Sequence, residues 1–330
     1  MTMLTRRAAF AASSALALPS LARAQTATGP WPNRPVRIVI AFAAGGSLDA
    51  IGRSYGRFME REFGQPFVVD NRSGAGGRIG TTYTARAPGD GYTVIITSSA
   101  AHGVAPSLYS DLQYHPMNDF THLGLVCSGP MVFLANVNAP YRDLAGLVAA
   151  VKARGTPASF GSGGIGSLGH LTGELAGRTL GIPVQHISYR GSAPAQTDLI
   201  AGQLELISDN MSSHGAQVQA GRVRCLAVAS RERMAEYPDV PTWAEQGYPQ
   251  MVANAWYGLS GPAGMPADIV AKWNQGLAGW LATTEAKDLL KGMAMTPEGR
   301  MSPAEYTAFV DSEVKRWGEV VRAANIRVES

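Results

Sequence analysis

The sequence has little cysteine, little histidine and little charge. Its 330 residues include two cysteines and six histidines, and 16% of them are charged. Two cysteines are too few for a disulfide framework, and the histidines have neither metal-ligand spacing nor a neighbouring cluster of Cys or His. Cys127 and Cys225 lie in apolar, strand-like runs, which favours buried free thiols over a disulfide bond. The sequence therefore predicts neither a metal site nor a disulfide-stabilised scaffold.

Long apolar runs are absent after the N-terminal segment, so no later stretch predicts a membrane-spanning helix. The N-terminal segment itself has the form of a cleaved export signal. Arg6 and Arg7 precede a short apolar run at residues 8–18, and residues 22–24 have the small-x-small form of a cleavage site. We expect residues 1–24 to be removed after general secretion or, given the paired arginines, twin-arginine export. The alternative is an uncleaved amphipathic arm.

Neither sign of charge dominates the chain once this signal is removed. The full sequence has 28 Lys and Arg against 25 Asp and Glu; without Arg6, Arg7 and Arg23, 25 basic residues face 25 acidic ones. A chain without a basic field does not attract nucleic acid or anionic lipid, so we predict no nucleic-acid partner. The remaining length, roughly 300 residues, exceeds that of a typical single domain and predicts two lobes.

Strands alternate with helices along most of the sequence, a pattern typical of an α/β protein with parallel strands. Residues 36–42 form an apolar run that predicts a buried strand, and the glycine turn at residues 43–46 follows it. Ser47 or Asp49 would cap the next helix. The long apolar stretch at residues 123–136 is expected to be broken by Gly129 and Pro130.

Small, glycine- or hydroxyl-rich turns follow at least four of the predicted strands, at residues 43–47, 73–77, 161–167 and 191–193. Ligands of open α/β sheets bind beyond the carboxyl ends of the strands, where such turns lie. Backbone N–H groups in these turns and at helix N-termini favour an anion. The turns therefore predict a carboxylate or phosphate site, although they would also serve tight connections without any ligand.

Nucleotide and hydrolase chemistry are poorly supported. Residues 164–169 fit G-x-G-x-x-G, but the next strand ends at residues 188–190 without the acidic residue of a dinucleotide site. No P-loop and no G-x-S-x-G motif is present. His102, His170 and His214 could each meet a serine in space, but no spacing requires it. We predict a protein that is not an enzyme and that carries no cofactor.

Eight motifs in order carry a family resemblance: WPNRP at 31–35, FAAGGSLD at 42–49, NRSGAGG at 71–77, PGDGYT at 88–93, GSGGIGSLGHL at 161–171, YRGSAPA at 189–195, DLIAGQ at 198–203 and PDVPTWAEQGY at 238–248. Together they resemble the tripartite tricarboxylate transporter substrate-binding proteins, also called the Bug or TctC family of periplasmic solute receptors. The resemblance covers essentially the whole mature chain. It departs from the family at Ser73, where the family often has proline.

The resemblance implies a two-lobed periplasmic binding protein of the type II, Venus-flytrap class, each lobe a mixed, mostly parallel sheet flanked by helices. Crossings near residues 129–132 and 254–256 would give a first lobe of residues 25–129 and 255–330 and a second lobe of residues 130–254. The solute would lie in the cleft between them. The implied protein is a monomer that delivers a small carboxylate to a membrane permease. A sensor that feeds a histidine kinase, or an exported enzyme of small-carboxylate chemistry, remains the alternative.

The resemblance also implies which residues meet the solute. They would come from the loops of both lobes: Phe42, Ala43, Gly45, Gly46, Ser47, Gly76, Gly77, Ser98, Ser162, Gly166, Ser167, His170, Gly191, Ser192 and Asp209. Asp49 would either cap its helix or accept a ligand amine or hydroxyl. Arg78 and Arg190 are the cations of these loops, and solvated side chains are the expected state of both. The solute itself stays open among organic acids, aromatic acids, amino acids and amides.

Overall fold

The computed structural model describes residues 30–326, so the predicted export signal at residues 1–24 lies outside it. The strands are β1 (Val36–Ile40), β2 (Phe67–Asn71), β3 (Thr93–Ser98), β4 (Phe120–Asn136), β5 (Ala158–Ser162), β6 (Val184–Ser188), β7 (Leu206–Asn210), β8 (Val223–Val228), β9 (Asn254–Pro262) and β10 (Thr296–Pro297). The α-helices are α1 (Ser47–Phe63), α2 (Arg78–Ala85), α3 (Ala105–Leu108), α4 (Leu144–Arg154), α5 (Leu168–Leu180), α6 (Ser192–Ile200), α7 (Gly215–Gln219), α8 (Ala267–Ala282), α9 (Thr284–Gly292) and α10 (Pro303–Ala324).

The strands form a continuous path in which a first sheet passes into a second. Its order is β2-β1-β3-β9-β4-β7-β5-β6, and β8 and β10 also pair with β4. The outer strands pair in parallel, β1 with β2 and β3, and β5 with β6 and β7. The central strands β4 and β9 pair antiparallel with their neighbours. The predicted class, mixed sheets flanked by helices, is confirmed.

Strand β4 belongs to both sheets. Its first part, as far as Pro130, pairs with β9, and its last part, from Met131, pairs with β7 and β8. Where the partners change, the backbone N–H of Met131 donates to the carbonyl of Ala253. Ala253 in turn donates to the carbonyl of Ala229. The chain therefore passes between the sheets at residues 130–131 and again just before Asn254.

The expected break at Gly129 and Pro130 is wrong, because β4 continues through both residues. Proline cannot donate to a strand ladder and is tolerated where the pairing is irregular. Pro130 stands where β4 leaves one sheet for the next, so its missing N–H coincides with a change of partner. An unbroken apolar strand and two short strands have similar residue patterns, and the pattern alone does not separate them.

Helix α10 connects the two sheets. Near its start, Tyr306 and Val310 pack with Trp256 of β9. Near its end, Trp317 belongs to the apolar cluster that also includes Leu171 of α5. Between them, the buried Glu313 accepts hydrogen bonds from the indole N–H groups of Trp256 and Trp317, both at 3.0 Å. One helix is therefore anchored in both hydrophobic cores.

Cys127 and Cys225 are both free and buried, as predicted. Between residues 30 and 326, no helix has the length and apolar character needed to span a bilayer.

Candidate functional site

A cavity of about 470 Å³ lies where the ends of several strands meet the two strands that connect the sheets. Most of its wall consists of turns that lead from a strand into a helix. The lining residues are Phe42, Ala43, Gly46, Ser47, Leu48, Ser98, Ser99, Ala100, Met131, Gly163, Ser167, Leu168, Gly169, Gly191, Ser192, Asp209, Asn210, Ala255 and Tyr257. Three larger cavities, of about 550, 580 and 600 Å³, lie elsewhere, but none of their described lining residues belongs to the predicted glycine turns. We therefore take the first cavity as the candidate site.

The turn before α1 forms one wall of the cavity. Gly45 has a φ of 85°, in the left-handed region that favours glycine, and Gly46 precedes α1 in an extended conformation. Ser47 is the first residue of α1, so the first N–H groups of this helix open towards the cavity without intrahelical partners. The predicted strand, glycine turn and helix are all present. The predicted cap by Ser47 or Asp49 is wrong, because Gly46 is the N-cap residue and no side chain caps α1.

Asp49 lies behind this wall and does not line the cavity. The residue is 5% exposed, and its side chain accepts hydrogen bonds from the Gly45 N–H at 2.9 Å, the Arg53 Nε at 2.9 Å and the Asn71 Nδ2 at 3.0 Å. The hydrogen bond from Arg53 is the largest of the effects that lower the pKa of Asp49 to about 2. Asp49 therefore fixes the shape of the turn from inside the protein.

The loop at residues 73–77 supports the wall and does not line the cavity. Gly76 and Gly77 have φ values of 64° and 93°, which favour glycine at both positions. A Cβ on Gly77 would lie 3.3 Å from the ring of Phe42, so the missing side chain lets Phe42 pack closely. Arg78 lies over the ring of Tyr109 at 3.7 Å, outside the cavity. Arg190 also lies outside the cavity lining.

The π-helical turn at Ser99–Val104 adds a second set of N–H groups. Ser98 and Ser99 both line the cavity, and the Ser98 Oγ accepts a hydrogen bond from the Ala101 N–H at 3.3 Å. Turns of this kind are rare and often occur at functional sites.

In the second sheet, Ser167 reaches the cavity at the start of α5. Its Oγ accepts from the His170 N–H at 3.2 Å and donates to the Ser162 Oγ at 3.2 Å. The His170 Nδ1 accepts from the Gly166 N–H at 3.1 Å. Ser162, Gly166 and His170 therefore stand behind Ser167 and hold its loop, and none of the three lines the cavity.

His186 completes this support, and sequence reasoning missed it. Its ring stacks on His170 with the ring centres 3.9 Å apart, and its Nε2 lies 2.7 Å from the Ser162 Oγ. Burial is the main reason that the pKa of His186 falls to about 4, and burial also lowers the pKa of His170. Both rings are therefore neutral at neutral pH. The sequence signal was weak, because a lone histidine in a strand is common.

The second strand-to-helix turn of the second sheet lies between β6 and α6. Gly191 has a φ of 110°, and Ser192 is the first residue of the helix. Both line the cavity, as does Asp209 at the end of β7. Asp209 is the one carboxylate among the described lining residues, and none of them is Lys or Arg. The walls therefore offer N–H groups and hydroxyls in place of cations.

The strands that connect the sheets provide the floor. The sequence offered Trp256 and Tyr257, near the second crossing, either as cleft residues or as core residues, with core packing favoured for both; Met131 and Ala255 were missed. Met131 of β4 and Ala255 and Tyr257 of β9 line the cavity, whereas Trp256 is fully buried in the core. Burial raises the pKa of the Tyr257 hydroxyl, and the charges of Cys127 and Asp209 raise it further, so the phenol remains a neutral donor. Among residues 30–326, no three His, Cys, Asp or Glu side chains are arranged to hold a metal ion.

Comparison with known proteins gives consistent matches. Residues 51–326 match the family model described as the tripartite tricarboxylate transporter family receptor, TctC. BugT of Bordetella pertussis is 33% identical over 300 residues, which cover 91% of this chain and 92% of BugT. An R. palustris protein solved with adipate has a TM-score of 0.78 and 32% identity, covering 90% of this chain and 99% of that one. MatC from Rhodopseudomonas palustris with bound malate has a TM-score of 0.75 and 31% identity, over 88% and 99% of the chains.

Proposed function

The chain belongs to the tripartite tricarboxylate transporter receptor family, and we propose that it captures a small carboxylate and delivers it to a permease of that transporter type. Proteins of this family are periplasmic solute-binding proteins, so the proposed location is the periplasm, reached by general secretion or twin-arginine export with cleavage of residues 1–24. The proposed receptor carries no cofactor and catalyses no reaction.

The observation that carries this proposal is the convergence of several strand-to-helix turns on one cavity. The helices α1, α5 and α6 begin at its wall, and the π-helical turn begins there too. Helix N-termini present unpaired N–H groups and the positive end of the helix dipole, which together stabilise an anion. The relatives solved with adipate and malate bind carboxylates of a size that suits a cavity of about 470 Å³.

The lobes are part of the proposal. Residues 25–129 with 255–330 would form the first lobe and residues 130–254 the second, with the hinge at the two crossings between the sheets. A solute that touches both walls would bind the closed arrangement more tightly than the open one and so favour closure.

The residues proposed to contact the solute are those predicted residues that also line the cavity: Phe42, Ala43, Gly46, Ser47, Ser98, Ser167, Gly191, Ser192 and Asp209. The remaining predicted residues would act indirectly, by fixing the loops: Gly45, Asp49, Gly76, Gly77, Ser162, Gly166 and His170.

Thermal unfolding of the mature protein with a panel of small carboxylates, amino acids, aromatic acids and amides tests the proposal. A ligand at 100 times its Kd adds about 2.7 kcal/mol to the free energy of unfolding, which gives a clear rise in Tm. Mass spectrometry of the denatured protein would first show whether a solute co-purifies. A rise with carboxylates is expected. If no acid raises Tm in protein shown to be empty, the proposal is wrong.

A further inference from the structure

We propose that Asp209 makes this receptor selective for carboxylic acids that also carry an N–H or O–H donor, such as amino and hydroxy acids. Plain dicarboxylic acids would bind more weakly. This inference rests on the proposed function, because it concerns the same cavity. The observation behind it is that Asp209, a carboxylate, lines a cavity whose other described residues suit an anion.

Asp209 is buried at the junction of the two sheets. It lies near the end of β7, opposite Val132 of β4, and the residue is 7% exposed. The exposed part faces the cavity, whose other described lining residues carry no formal charge. A buried carboxylate is costly unless hydrogen-bond donors surround it. The protein supplies only some of these donors.

The protein holds Asp209 in one orientation. The Asn210 N–H donates to Asp209 Oδ1 at 2.8 Å, and the Asn210 Nδ2 lies 3.4 Å from the same atom. The His214 Nε2 lies 3.1 Å from Asp209 Oδ2, and His214 is 1% exposed.

His214 is itself fixed from its other side. Its Nδ1 lies 2.8 Å from the side-chain Oε1 of Gln196, on α6. His214 and Gln196 therefore position Asp209, and neither of them lines the cavity. An ionised carboxylate has about four acceptor positions. The contacts from Asn210 and His214 do not fill these positions, and Asp209 lines the cavity, so acceptor capacity remains for a solute donor.

The cavity therefore has two unlike ends. N–H groups at the starts of α1, α5 and α6 suit the carboxylate of the solute, and Asp209 suits a donor. A second carboxylate placed at Asp209 would bring like charges together, and none of the described lining residues is a Lys or Arg that could compensate. His214, the basic side chain in contact with Asp209, lies outside the lining and already contacts Asp209 and Gln196. A solute without the donor would leave the remaining acceptor positions of Asp209 unsatisfied.

Calorimetric titration of the mature protein with matched acids tests this inference. Each set has one carbon skeleton with hydrogen, hydroxyl or ammonium at the same carbon: propionate, lactate and alanine; succinate, malate and aspartate; glutarate, 2-hydroxyglutarate and glutamate; phenylpropionate, phenyllactate and phenylalanine. We expect the donor-bearing member of the set that binds to have a Kd about 10- to 100-fold lower than the plain acid. Comparison of the hydroxyl and ammonium members identifies the donor.

Two variants separate the role of Asp209 from general effects. D209N keeps the size of the side chain and removes its charge, so the preference for the donor should fall towards unity and plain acids should gain affinity. D143N makes the same change at the N-cap of α4, where asparagine caps equally well, and should leave all affinities unchanged.

The outcomes distinguish this inference from the proposed function. Equal Kd values for plain and donor-bearing acids in the wild-type protein would overturn the role of Asp209 while leaving the receptor function intact. An unchanged preference of D209N for the donor-bearing acid would also overturn the role of Asp209 and leave the receptor function intact. Absence of binding by every acid would contradict the proposed function, and this inference with it.

Discussion

Replacing Ser167 with alanine separates a binding contribution from a structural one. Ser167 lines the cavity, and its Oγ caps α5 by accepting from the His170 N–H at 3.2 Å. Loss of an N-cap costs about 0.5–2 kcal/mol of stability. Loss of a hydrogen bond to the solute would cost a further 0.5–1.5 kcal/mol, roughly, of binding free energy, which corresponds to an increase in Kd of about 2- to 13-fold.

The matched control is Ser302→Ala. Ser302 caps α10, where its Oγ accepts from the Glu305 N–H at 3.3 Å, and it does not line the cavity. Both variants should lower Tm by a few degrees, since both lose one N-cap. Only S167A should weaken binding. Titration calorimetry of wild type, S167A and S302A with one bound acid, and scanning calorimetry without it, gives both quantities.

Two results would refute this reasoning. An unchanged Kd for S167A would remove the Ser167 hydroxyl from the site. A similar increase of Kd in S302A would show that any loss of a helix cap weakens binding through stability, so that the effect of S167A says nothing about contact.

Further predictions concern stability alone. His122 is 2% exposed, and burial lowers its pKa from 6.5 to about 4, so between these values the unfolded chain binds a proton that the folded chain does not. The free energy of unfolding therefore falls as pH falls through this window, and His122 accounts for about 2–3 kcal/mol of the loss at pH 4.5. Urea unfolding at pH 7 and at pH 4.5 measures this loss, which should be smaller in H122Q than in the wild type. Gly45→Ala should lower the free energy of unfolding by about 1–2 kcal/mol, because Gly45 has a φ of 85°. Gly46→Ala should lower it less, because Gly46 has a φ of −82° and room for a Cβ. Equal urea midpoints for the two variants would contradict this prediction.

The local structure around the cavity could be predicted because it depends on short stretches of sequence. Residues 36–49 contain an apolar run, two glycines and a possible cap in direct succession, and β1 and α1 form there as expected. The turns before α5 and α6 were predicted in the same way, from small residues between a strand and a helix, and both form there. The meeting of the turns before α5 and α6 could be expected as well, since the carboxyl ends of neighbouring parallel strands lie at one edge of a sheet. The turn before α1 belongs to the other sheet, so its place in the same cavity followed only from the two-lobed arrangement that the resemblance implied.

What could not be predicted is which side chains of a turn point outward. Asp49 and His170 were candidates for direct contact, yet both bond the N–H groups of their own loops. Turn composition does not separate these two uses, because a ligand and a neighbouring N–H draw on the same acceptor atoms.

The residues of the cavity floor were also difficult to identify from the sequence. Met131 and Tyr257 come from strands that are remote in sequence, and each lies in an apolar run typical of a core strand. Only the pairing of β4 with β9 brings them to the same place as the turns.

The position of β9 has a consequence for how the chain is made. Strand β9 lies between β3 and β4 in the first sheet, but all of the second sheet is translated between β3 and β9. While residues 99–253 emerge, β3 has a partner only on its β1 side, and the edge that β9 will occupy stays unpaired. Pairing between strands so distant in sequence forms slowly. The sheet that begins first is thus completed last, and the nascent chain exposes an open strand edge throughout synthesis of the second sheet.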